Sequence, residues 1–263
     1  MMDGANCGVL PARPLKGSTS VKKHLAQLAA ILAIFLASLC SAQQPLAPGL
    51  QHSASSANAH AELLPNLDIV KGELRQYHDC TCKCGCYARD IDVQADRAIA
   101  FLHRRAAHPR PQEKLAMVLD IDETSLSNYP EMLKADFTYE SKAFDEWVQS
   151  AQGPAMQGTL RLYREAQSLG VSVFFITGRP ESERAATVRN LQAQGFHNWQ
   201  QLVLHPADQP SLKTVAYKSG ARAQIVAQGY TLVLSVGDQW SDQKGAPEAE
   251  FFVKYPNPYY FIP

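Results

Sequence analysis

The sequence predicts a doubly wound α/β fold on a parallel sheet, with a small cap insertion and N-terminal helices. Four short apolar runs rich in β-branched and aromatic residues occur from residue 115 onward, and helical stretches lie between them. None of the runs alternates apolar with polar residues, which is typical of strands buried on both faces of a parallel sheet. Strands alternating with helices in this way indicate a doubly wound sheet.

The elements follow from these patterns in chain order. The predicted strands are residues 115–121, 171–176, 201–204 and 231–236. The predicted helices between them are residues 159–169, 181–194 and 212–228, each followed by a glycine, as is common at helix C-termini. Upstream, helical spacing of apolar residues predicts helices at 66–77 and 87–108.

One connection is too long for an ordinary link of about 2–6 residues. Residues 125–158 lie between the first strand and the next helix, and they contain Tyr129, Phe137, Tyr139, Phe144 and Trp147. We expect this segment to form a small cap. Tyr129, Tyr139 or Trp147 can stack on a planar group of a ligand, and the alternative is that they pack the cap against the core.

Length and composition fit one sizeable domain. The chain has 263 residues, of which 46% are hydrophobic, and its 25 basic residues balance its 25 acidic ones. This composition favours a globular core over a disordered chain. A net charge of zero gives no electrostatic reason to expect a nucleic-acid partner.

The first 42 residues are expected to be a signal peptide. Lys22 and Lys23 precede an apolar run at 25–39, shorter than the ~20 residues that span a membrane comfortably. Cleavage is predicted after Ala42, which makes the protein secreted or periplasmic. The alternatives are a lipoprotein modified at Cys40 or an uncleaved membrane anchor. The long stretch before the run also suggests that translation starts near Val21.

The mature chain divides into a tether and a domain. Residues 43–65 are rich in Ala, Ser, Gln and Pro and show no apolar period, which predicts a flexible linker. Residues 66–263 are expected to form the single folded domain.

Polar clusters follow the predicted strands at their carboxyl ends, the edge where open α/β sheets bind ligands. Asp120 and Asp122 leave the first strand, and Asp120 can attack phosphorus while Asp122 protonates the leaving oxygen and later deprotonates a water. The alternative is a loop of solvated acids. Thr177 and Gly178 follow the second strand and can cradle a phosphate at a helix N-terminus, although Thr177 can also be an ordinary N-cap.

Two further clusters come later in the chain. Lys218 can hold the nucleophile and phosphate oxygens, or it can be a solvated surface charge. Asp238 leaves the last strand and can ligate Mg²⁺ together with Asp120 and the main-chain carbonyl of Asp122. Asp242 is expected to lie behind, orienting a metal-bound water or Lys218.

The order and the sequences of these motifs resemble those of a known family. DIDETSLSN, FFITGR, YKSGAR and GDQWSD are similar to the haloacid dehalogenase (HAD) superfamily, in the acid phosphatase branch of plant vegetative and bacterial class C enzymes (subfamily IIIB). The resemblance covers roughly residues 66–263, and residues 255–260 resemble the C-terminal strand of that family.

The resemblance implies a secreted acid phosphatase that hydrolyses phosphomonoesters through an aspartyl-phosphate. It makes Asp120 the nucleophile and Asp122 the general acid and base. The phosphate-binding residues would be Thr177, Gly178 and Lys218, the Mg²⁺ ligands Asp120, Asp122 and Asp238, and the supporting residues Arg179 and Asp242. The substrate would be a small phosphomonoester, with a nucleotide or an aryl phosphate among the candidates, and the oligomeric state stays open.

A cysteine tract departs from that pattern. Cys80, Cys82, Cys84 and Cys86 alternate along the turn before Tyr87. In an oxidising compartment two local disulfides are favoured, and a thiolate metal site that includes His78 is the alternative. The tight spacing argues against a zinc-finger type of site.

Three other functions compete with catalysis. A non-catalytic storage or binding protein can keep this fold, but it would most simply lose the nucleophile, and Asp120 is present. A receiver-like phosphorylation switch combines similar residues, but the predicted secretion argues against it. A thiol metal-binding protein built around residues 80–86 would use only a small part of the chain.

Overall fold

The computed structural model describes residues 64–80, 86–209 and 211–262. The predicted signal peptide, most of the tether, Cys82 and Cys84 lie outside these residues. Among the described helices, none is long and apolar enough to cross a membrane.

Helices and strands alternate after an N-terminal helical pair. The helices are α1 (Leu67–Asp79), α2 (Tyr87–Ala106), α3 (Tyr129–Lys134), α4 (Ser141–Ser150), α5 (Gln157–Ser168), α6 (Arg184–Ala193) and α7 (Thr214–Ala227). The strands are β1 (Lys114–Leu119), β2 (Ser172–Pro180), β3 (Gln201–His205), β4 (Tyr230–Gly237) and β5 (Phe251–Lys254). Short 3₁₀ turns occupy Glu181–Glu183 and Trp240–Asp242.

The strands form one parallel sheet in the order β3-β2-β1-β4-β5. The chain moves outward from β1 through β2 to β3, and then returns to place β4 on the other side of β1. The order therefore reverses between β1 and β4, which is where sheets of this kind open a crevice for ligands. The predicted fold class is confirmed.

Helices cover both faces of the sheet. Because side chains alternate along a strand, Met117 and Leu119 of β1 enter the core shared with α2 and α5, and Ala116 and Val118 face α7 on the other side. All four are at most 4% exposed. This double burial explains why β1 reads as an unbroken apolar run.

Two element predictions were wrong. The strand β2 continues to Pro180 instead of ending near residue 176, so a 3₁₀ turn and then α6 begin only after it. The edge strand β5 was missed, because it has four residues and lies before residues 255–260, which were expected to form a strand. Pro256 and Pro258 lack the N–H that a ladder requires.

The segment predicted as a cap contains α3 and α4 and is tied to the rest of the chain at two places. Asn190 on α6 accepts from the N–H of Gly153 at 3.0 Å and donates to its carbonyl at 2.7 Å. Asp136 accepts from Lys71 and Arg75 of α1, each at 2.5 Å. These contacts hold the insertion against α1 and α6.

An ion-pair network anchors the start of β1. Arg105 donates to Glu113 at 2.6 Å and to Glu250 at 2.7 Å, and the N–H of Arg110 donates to Glu113 at 2.9 Å. The hydrogen bond from Arg105 lowers the pKa of Glu113 from 4.5 to about 2. A carboxyl with a depressed folded-state pKa stabilises the fold above its unfolded pKa, and that stability is lost as the pH falls.

Glu113→Gln should therefore be less stable than the unmodified chain at neutral pH, and the difference should shrink as the pH falls from about 4.5 to about 2. Denaturant midpoints measured across this pH range would show it. Glu146→Gln, at a 71% exposed side chain 3.9 Å from Lys142, is the matched control and should show no such trend. A Glu113→Gln deficit that is constant with pH would contradict the assignment.

Candidate active site

Asp120 lies immediately after β1 at the point where the strand order reverses. Its N–H donates to the Val236 carbonyl of β4 at 3.0 Å, which fixes the backbone between the two strands. One carboxylate oxygen accepts from Lys218 at 2.7 Å and the other from the Thr124 hydroxyl at 3.3 Å. With 5% exposure, Asp120 is a buried, oriented carboxylate and not a solvated loop acid.

Lys218 reaches this carboxylate from α7. The residue is 5% exposed, and its ammonium bridges Asp120 and Asp242, so it is not the surface charge that was the alternative. Burial alone would lower the pKa of Lys218, but the two carboxylates hold that pKa above its usual value. The side chain is therefore cationic throughout the physiological range.

Asp238 and Asp242 complete an acidic cluster with Asp120. One oxygen from each of the three lies within 4.8 Å of the others. Asp238 accepts from Gln239 and Asn257, each at 2.6 Å, and Asp242 accepts from the Gln239 N–H at 2.9 Å. The structure therefore places Asp242 inside the cluster as well as against Lys218, rather than behind it.

A glycine makes the approach of Asp242 to the strand end possible. A Cβ at Gly237 would collide with the Asp242 side chain, because the 3₁₀ turn at Trp240–Asp242 folds back onto the end of β4. The Gly237-Asp238 pair thus serves two purposes: it aims Asp238 at the crevice and leaves room for Asp242 beside it.

The charge balance of the site fits a divalent cation. Four buried or half-buried carboxylates, those of Asp120, Asp122, Asp238 and Asp242, face only Lys218 and Arg179 as described ion-pair partners. Burial raises the pKa of Asp120 and of Asp238, and the neighbouring negative charges raise both further. Since carboxylate oxygens are the ligands that Mg²⁺ prefers, the residues present fit such an ion.

The Asp122 carboxylate is bound by partners other than Lys218. It accepts from the Arg179 Nη2 at 2.6 Å and from Asn128 at 2.8 Å, and its two oxygens share the Arg179 Nε–H at 3.0 and 3.1 Å. Burial alone would raise the pKa of Asp122, but the Arg179 guanidinium holds it below its usual value. The predicted contact of a metal ion with the main-chain carbonyl of Asp122 stays a prediction.

Thr177 and Gly178 occupy the end of β2 and not a helix N-terminus. The Thr177 hydroxyl is fully buried, accepts from the Arg179 N–H at 3.1 Å and donates to Asp122 at 3.4 Å. Neither the helix-terminal phosphate cradle nor the N-cap alternative is present, because β2 continues past both residues. The Gly178 backbone, which is exposed, still lines the cavity described below.

Sequence reasoning missed two buried carboxyl groups. Glu123 is fully buried with φ 52°, and burial together with the charge of Asp122 raises its pKa to about 8. Glu183 is 5% exposed, and burial raises its pKa to about 7. A glutamate with left-handed backbone three residues after Asp120 has no sequence signature, and the sequence around Glu183 is typical of a surface residue at the start of a helix.

Asp120, Asp122 and Asp238 line a cavity of about 690 Å³. Its other walls come from α3, α4, the segment between these helices and the chain end, and they include Phe137, Tyr139, Phe144, Tyr259 and Tyr260. Tyr139 is 73% exposed and faces the cavity. Tyr129 instead stacks on His78, and Trp147 donates to Asn128, so those two aromatic residues pack the cap.

Cys80 and Cys86 are the two cysteines of the tract that the structure describes. Cys80 follows α1, and Cys86 is the N-cap residue of α2 and is buried. Burial and a hydrogen bond with Cys80 raise the pKa of the Cys86 thiol. The disulfide and metal interpretations of the four cysteines stay predictions, because two of them lie outside the described residues.

Comparison with known proteins gives a consistent set of relatives. The family model for HAD superfamily, subfamily IIIB (acid phosphatase) matches residues 38–263. Acid phosphatase 1 of Solanum lycopersicum is 39% identical over 179 residues, which is 67% of this chain and 69% of that protein. Vegetative storage protein 1 of Arabidopsis thaliana is 35% identical over 211 residues, 75% of this chain and 77% of that protein.

A solved structure shares the fold. The class C acid phosphatase from Bacillus anthracis superposes with a TM-score of 0.61 at 23% sequence identity, covering 74% of this chain and 86% of that one. At this identity the likeness supports the architecture of the sheet and its helices.

Proposed function

Because the chain belongs to subfamily IIIB of the HAD superfamily, the acid phosphatases, and is a phosphoric monoester hydrolase, we propose that it hydrolyses phosphomonoesters through an aspartyl-phosphate on Asp120 with Mg²⁺ as cofactor. The observation that carries the proposal is the buried Asp120 carboxylate, held by Lys218 beside Asp238 and Asp242 at the reversal point of the sheet.

In the first step an Asp120 carboxylate oxygen attacks phosphorus, and the bond from phosphorus to the ester oxygen breaks. The leaving oxygen takes a proton from the Asp122 carboxyl, so an alcohol departs and Asp122 becomes a carboxylate. In the second step a water attacks the phosphoryl group and gives its proton to Asp122. The bond between Asp120 and phosphorus then breaks, which releases phosphate and regenerates the starting carboxylate.

Asp122 is ionised before substrate arrives, because Arg179 holds its pKa low. It must gain one proton to serve as the acid, and that proton comes from acidic solution or from a monoanionic ester. A phosphate group beside Asp122 adds negative charge, which raises the affinity of the carboxylate for this proton.

Fixed positive charge supports the transfer. Lys218 offsets the repulsion between Asp120 and the incoming phosphate, and the Gly178 backbone, which lines the cavity, would bind phosphate oxygens together with Thr177. Mg²⁺ held by Asp120, Asp238 and the main chain of Asp122 would neutralise charge on the transferring group, with Asp242 as a supporting residue.

The cavity supports a substrate with a planar leaving group. It is larger than a phosphate requires, and Tyr139, Phe144 and Phe137 line the side that the cap contributes. We therefore propose a nucleotide or an aryl phosphate as the preferred class of phosphomonoester, with Tyr139 as the stacking residue.

A storage role is the alternative that one relative's name suggests. The burial of Asp120, Asp238 and Asp242 side by side, with Lys218 paired to two of them, argues against it, because a protein without catalysis has no need to bury such a cluster. A measurement of phosphatase activity is enough to distinguish the storage function from the catalytic one.

The activity is tested with p-nitrophenyl phosphate, glycerol phosphate, nucleoside monophosphates and bis(p-nitrophenyl) phosphate across a pH series. Hydrolysis of the monoesters but not of the diester is expected, lost on chelation and restored by Mg²⁺. Equal activity on glycerol phosphate and nucleoside monophosphates would contradict the stacking role, and no monoesterase activity would contradict the function.

Metal binding has its own readout in thermal unfolding. Mg²⁺ at a hundred times its Kd should stabilise the chain by about 2.7 kcal/mol, and Asp238→Asn should remove most of this effect. Asp208→Asn, outside the cluster, is the matched control. An unchanged response in Asp238→Asn would contradict the assignment of this ligand.

Localisation and domain layout follow the sequence. We propose residues 1–42 as a signal peptide cleaved after Ala42, residues 43–65 as a tether, and residues 66–263 as the phosphatase domain, with a cap insertion at about 125–158. The protein would then act outside the cytoplasm, where the cysteines at 80–86 can pair.

A further inference from the structure

The buried side-chain amide of Asn128 forms hydrogen bonds with three side chains, those of Asp122, Glu123 and Trp147. The residue is 1% exposed and precedes α3. Its Nδ2 donates to Asp122 at 2.8 Å and to Glu123 at 3.2 Å, and its Oδ1 accepts from the Trp147 indole N–H at 2.9 Å. Trp147 belongs to α4, so the amide connects the cap to the carboxyl group proposed as the acid.

The chemistry of these partners fixes the orientation of the amide. An indole N–H can only donate, so the side of Asn128 that faces Trp147 must be the oxygen. The two carboxylates can then accept from the two amide N–H groups on the other side. The backbone N–H of Asn128 also donates to Glu123 at 2.6 Å, which holds the residue in place.

Three residues hold the Asp122 carboxyl. Arg179 contacts both of its oxygens, Asn128 donates to Oδ1 and the Thr177 hydroxyl donates to Oδ2. These contacts leave the Asp122 carboxyl little freedom to rotate, and general acid catalysis requires the donor to stay within hydrogen-bond reach of the leaving oxygen.

We propose that Asn128 is a positioning residue that orients the Asp122 carboxyl toward the leaving oxygen. Through the hydrogen bond of Trp147 to Asn128, this orientation depends on the position of α4 in the cap. The inference rests on the proposed function, in which Asp122 gives a proton to the ester oxygen as its bond to phosphorus breaks. Asn128 itself transfers no proton and contacts no reacting atom.

The inference predicts how the effect of a substitution on the rate depends on the leaving group of the ester. A poor leaving group such as an alkoxide needs its proton during bond cleavage, whereas dinitrophenolate departs without one. Misplacing the Asp122 carboxyl should therefore lower kcat/KM for alkyl phosphates far more than for activated aryl phosphates, whereas its effect on the second step, in which Asp122 is the base, is the same for all esters. A structural defect would instead slow all of them by a similar factor.

The test uses Asn128→Asp, which keeps the acceptor for Trp147 but removes the donors to Asp122, and Trp147→Phe, which frees the amide without changing charge. For Asn128→Asp we expect kcat/KM, which reports the steps up to departure of the leaving group, to fall on the order of 10²-fold with glycerol phosphate and less than about 5-fold with dinitrophenyl phosphate. Trp147→Phe should show the same pattern in kcat/KM at smaller size.

Asn190→Asp is the matched control, since Asn190 is also a buried amide and bonds Gly153 at the base of the cap. Any loss of activity there should be the same for all leaving groups. Uniform losses in both Asn128→Asp and Trp147→Phe would overturn the inference, and Trp147→Phe alone decides it if Asn128→Asp does not fold.

Asp122→Asn separates this inference from the function beneath it. If Asp122→Asn shows the leaving-group dependence and the other two variants do not, only the role of Asn128 fails. If Asp122→Asn itself slows all esters equally, the proposed acid is wrong, and the role of Asn128 fails with it.

Discussion

Asp120→Asn should lower kcat by a factor on the order of 10³–10⁶ and leave the fold intact, because removal of a covalent nucleophile has effects of this size. The amide that replaces the carboxylate is neutral and does not attack phosphorus. Its oxygen can still accept from Lys218, which approaches at 2.7 Å, so the packing of the site should survive. Such a loss corresponds to about 4–8 kcal/mol of transition-state stabilisation.

The measurement compares single-turnover and steady-state rates with p-nitrophenyl phosphate, with the far-UV spectrum and melting temperature as checks on folding. Asp96→Asn is the matched control, since Asp96 has a 63% exposed side chain and pairs with Arg161 on the surface. Asp120→Asn with activity close to that of the unmodified chain would refute the nucleophile, whereas an unmodified chain as slow as the variant would favour the storage function.

Much of this site was open to prediction because parallel strands bring their carboxyl ends to one edge. Asp120 and Asp238 each follow an apolar run, so adjacency of β1 and β4 is enough to place them together. Lys218 needed the resemblance as well, because a lysine on a helix has no local signal of burial. Its burial comes from α7 packing on the sheet beside two carboxylates.

Other features depend on tertiary geometry that local patterns do not carry. The extension of β2 past Thr177 is decided by pairing with β3, where Pro180 lies opposite His205. The left-handed backbone of Glu123 is decided by its buried partners, the Asn128 N–H and the Tyr260 hydroxyl. In both cases the local sequence favours a different backbone conformation, and contacts with residues distant in sequence determine the observed one.

Arg222→Met should destabilise the chain by about 3–5 kcal/mol, because several buried carbonyls lose their donor at once. Arg222 is 1% exposed on α7, and its guanidinium donates only to main-chain carbonyls among its described hydrogen-bond partners. Four of those carbonyls, of Asp242, Lys244, Gly245 and Pro247, lie at 2.6–2.9 Å, and that of Gln243 lies at 3.5 Å. Methionine fills the volume but leaves each acceptor unpaired, at about 1–3 kcal/mol apiece before relaxation.

Arg222→Lys tests whether stability depends on the planar geometry of the guanidinium or only on its positive charge. An ammonium on a shorter reach cannot bond four carbonyls spread around a guanidinium, so this variant should recover less than half of the lost stability. Denaturant midpoints give the free energy of unfolding. Arg161→Met, at an exposed arginine that pairs with Asp92 and Asp96, is the control and should cost at most about 1 kcal/mol.

Arg222→Met should also weaken Mg²⁺ binding at the proposed metal site. The Mg²⁺ response distinguishes a local effect on that site from a global loss of stability. Arg222 holds the carbonyl of Asp242, whose carboxylate lies in the acidic cluster, so releasing the loop frees one wall of that cluster. Stabilisation by Mg²⁺ should then decline in Arg222→Met even at temperatures where the chain is folded. If stability falls while the Mg²⁺ response is unchanged, Arg222 supports the loop after β4 without setting the position of Asp242.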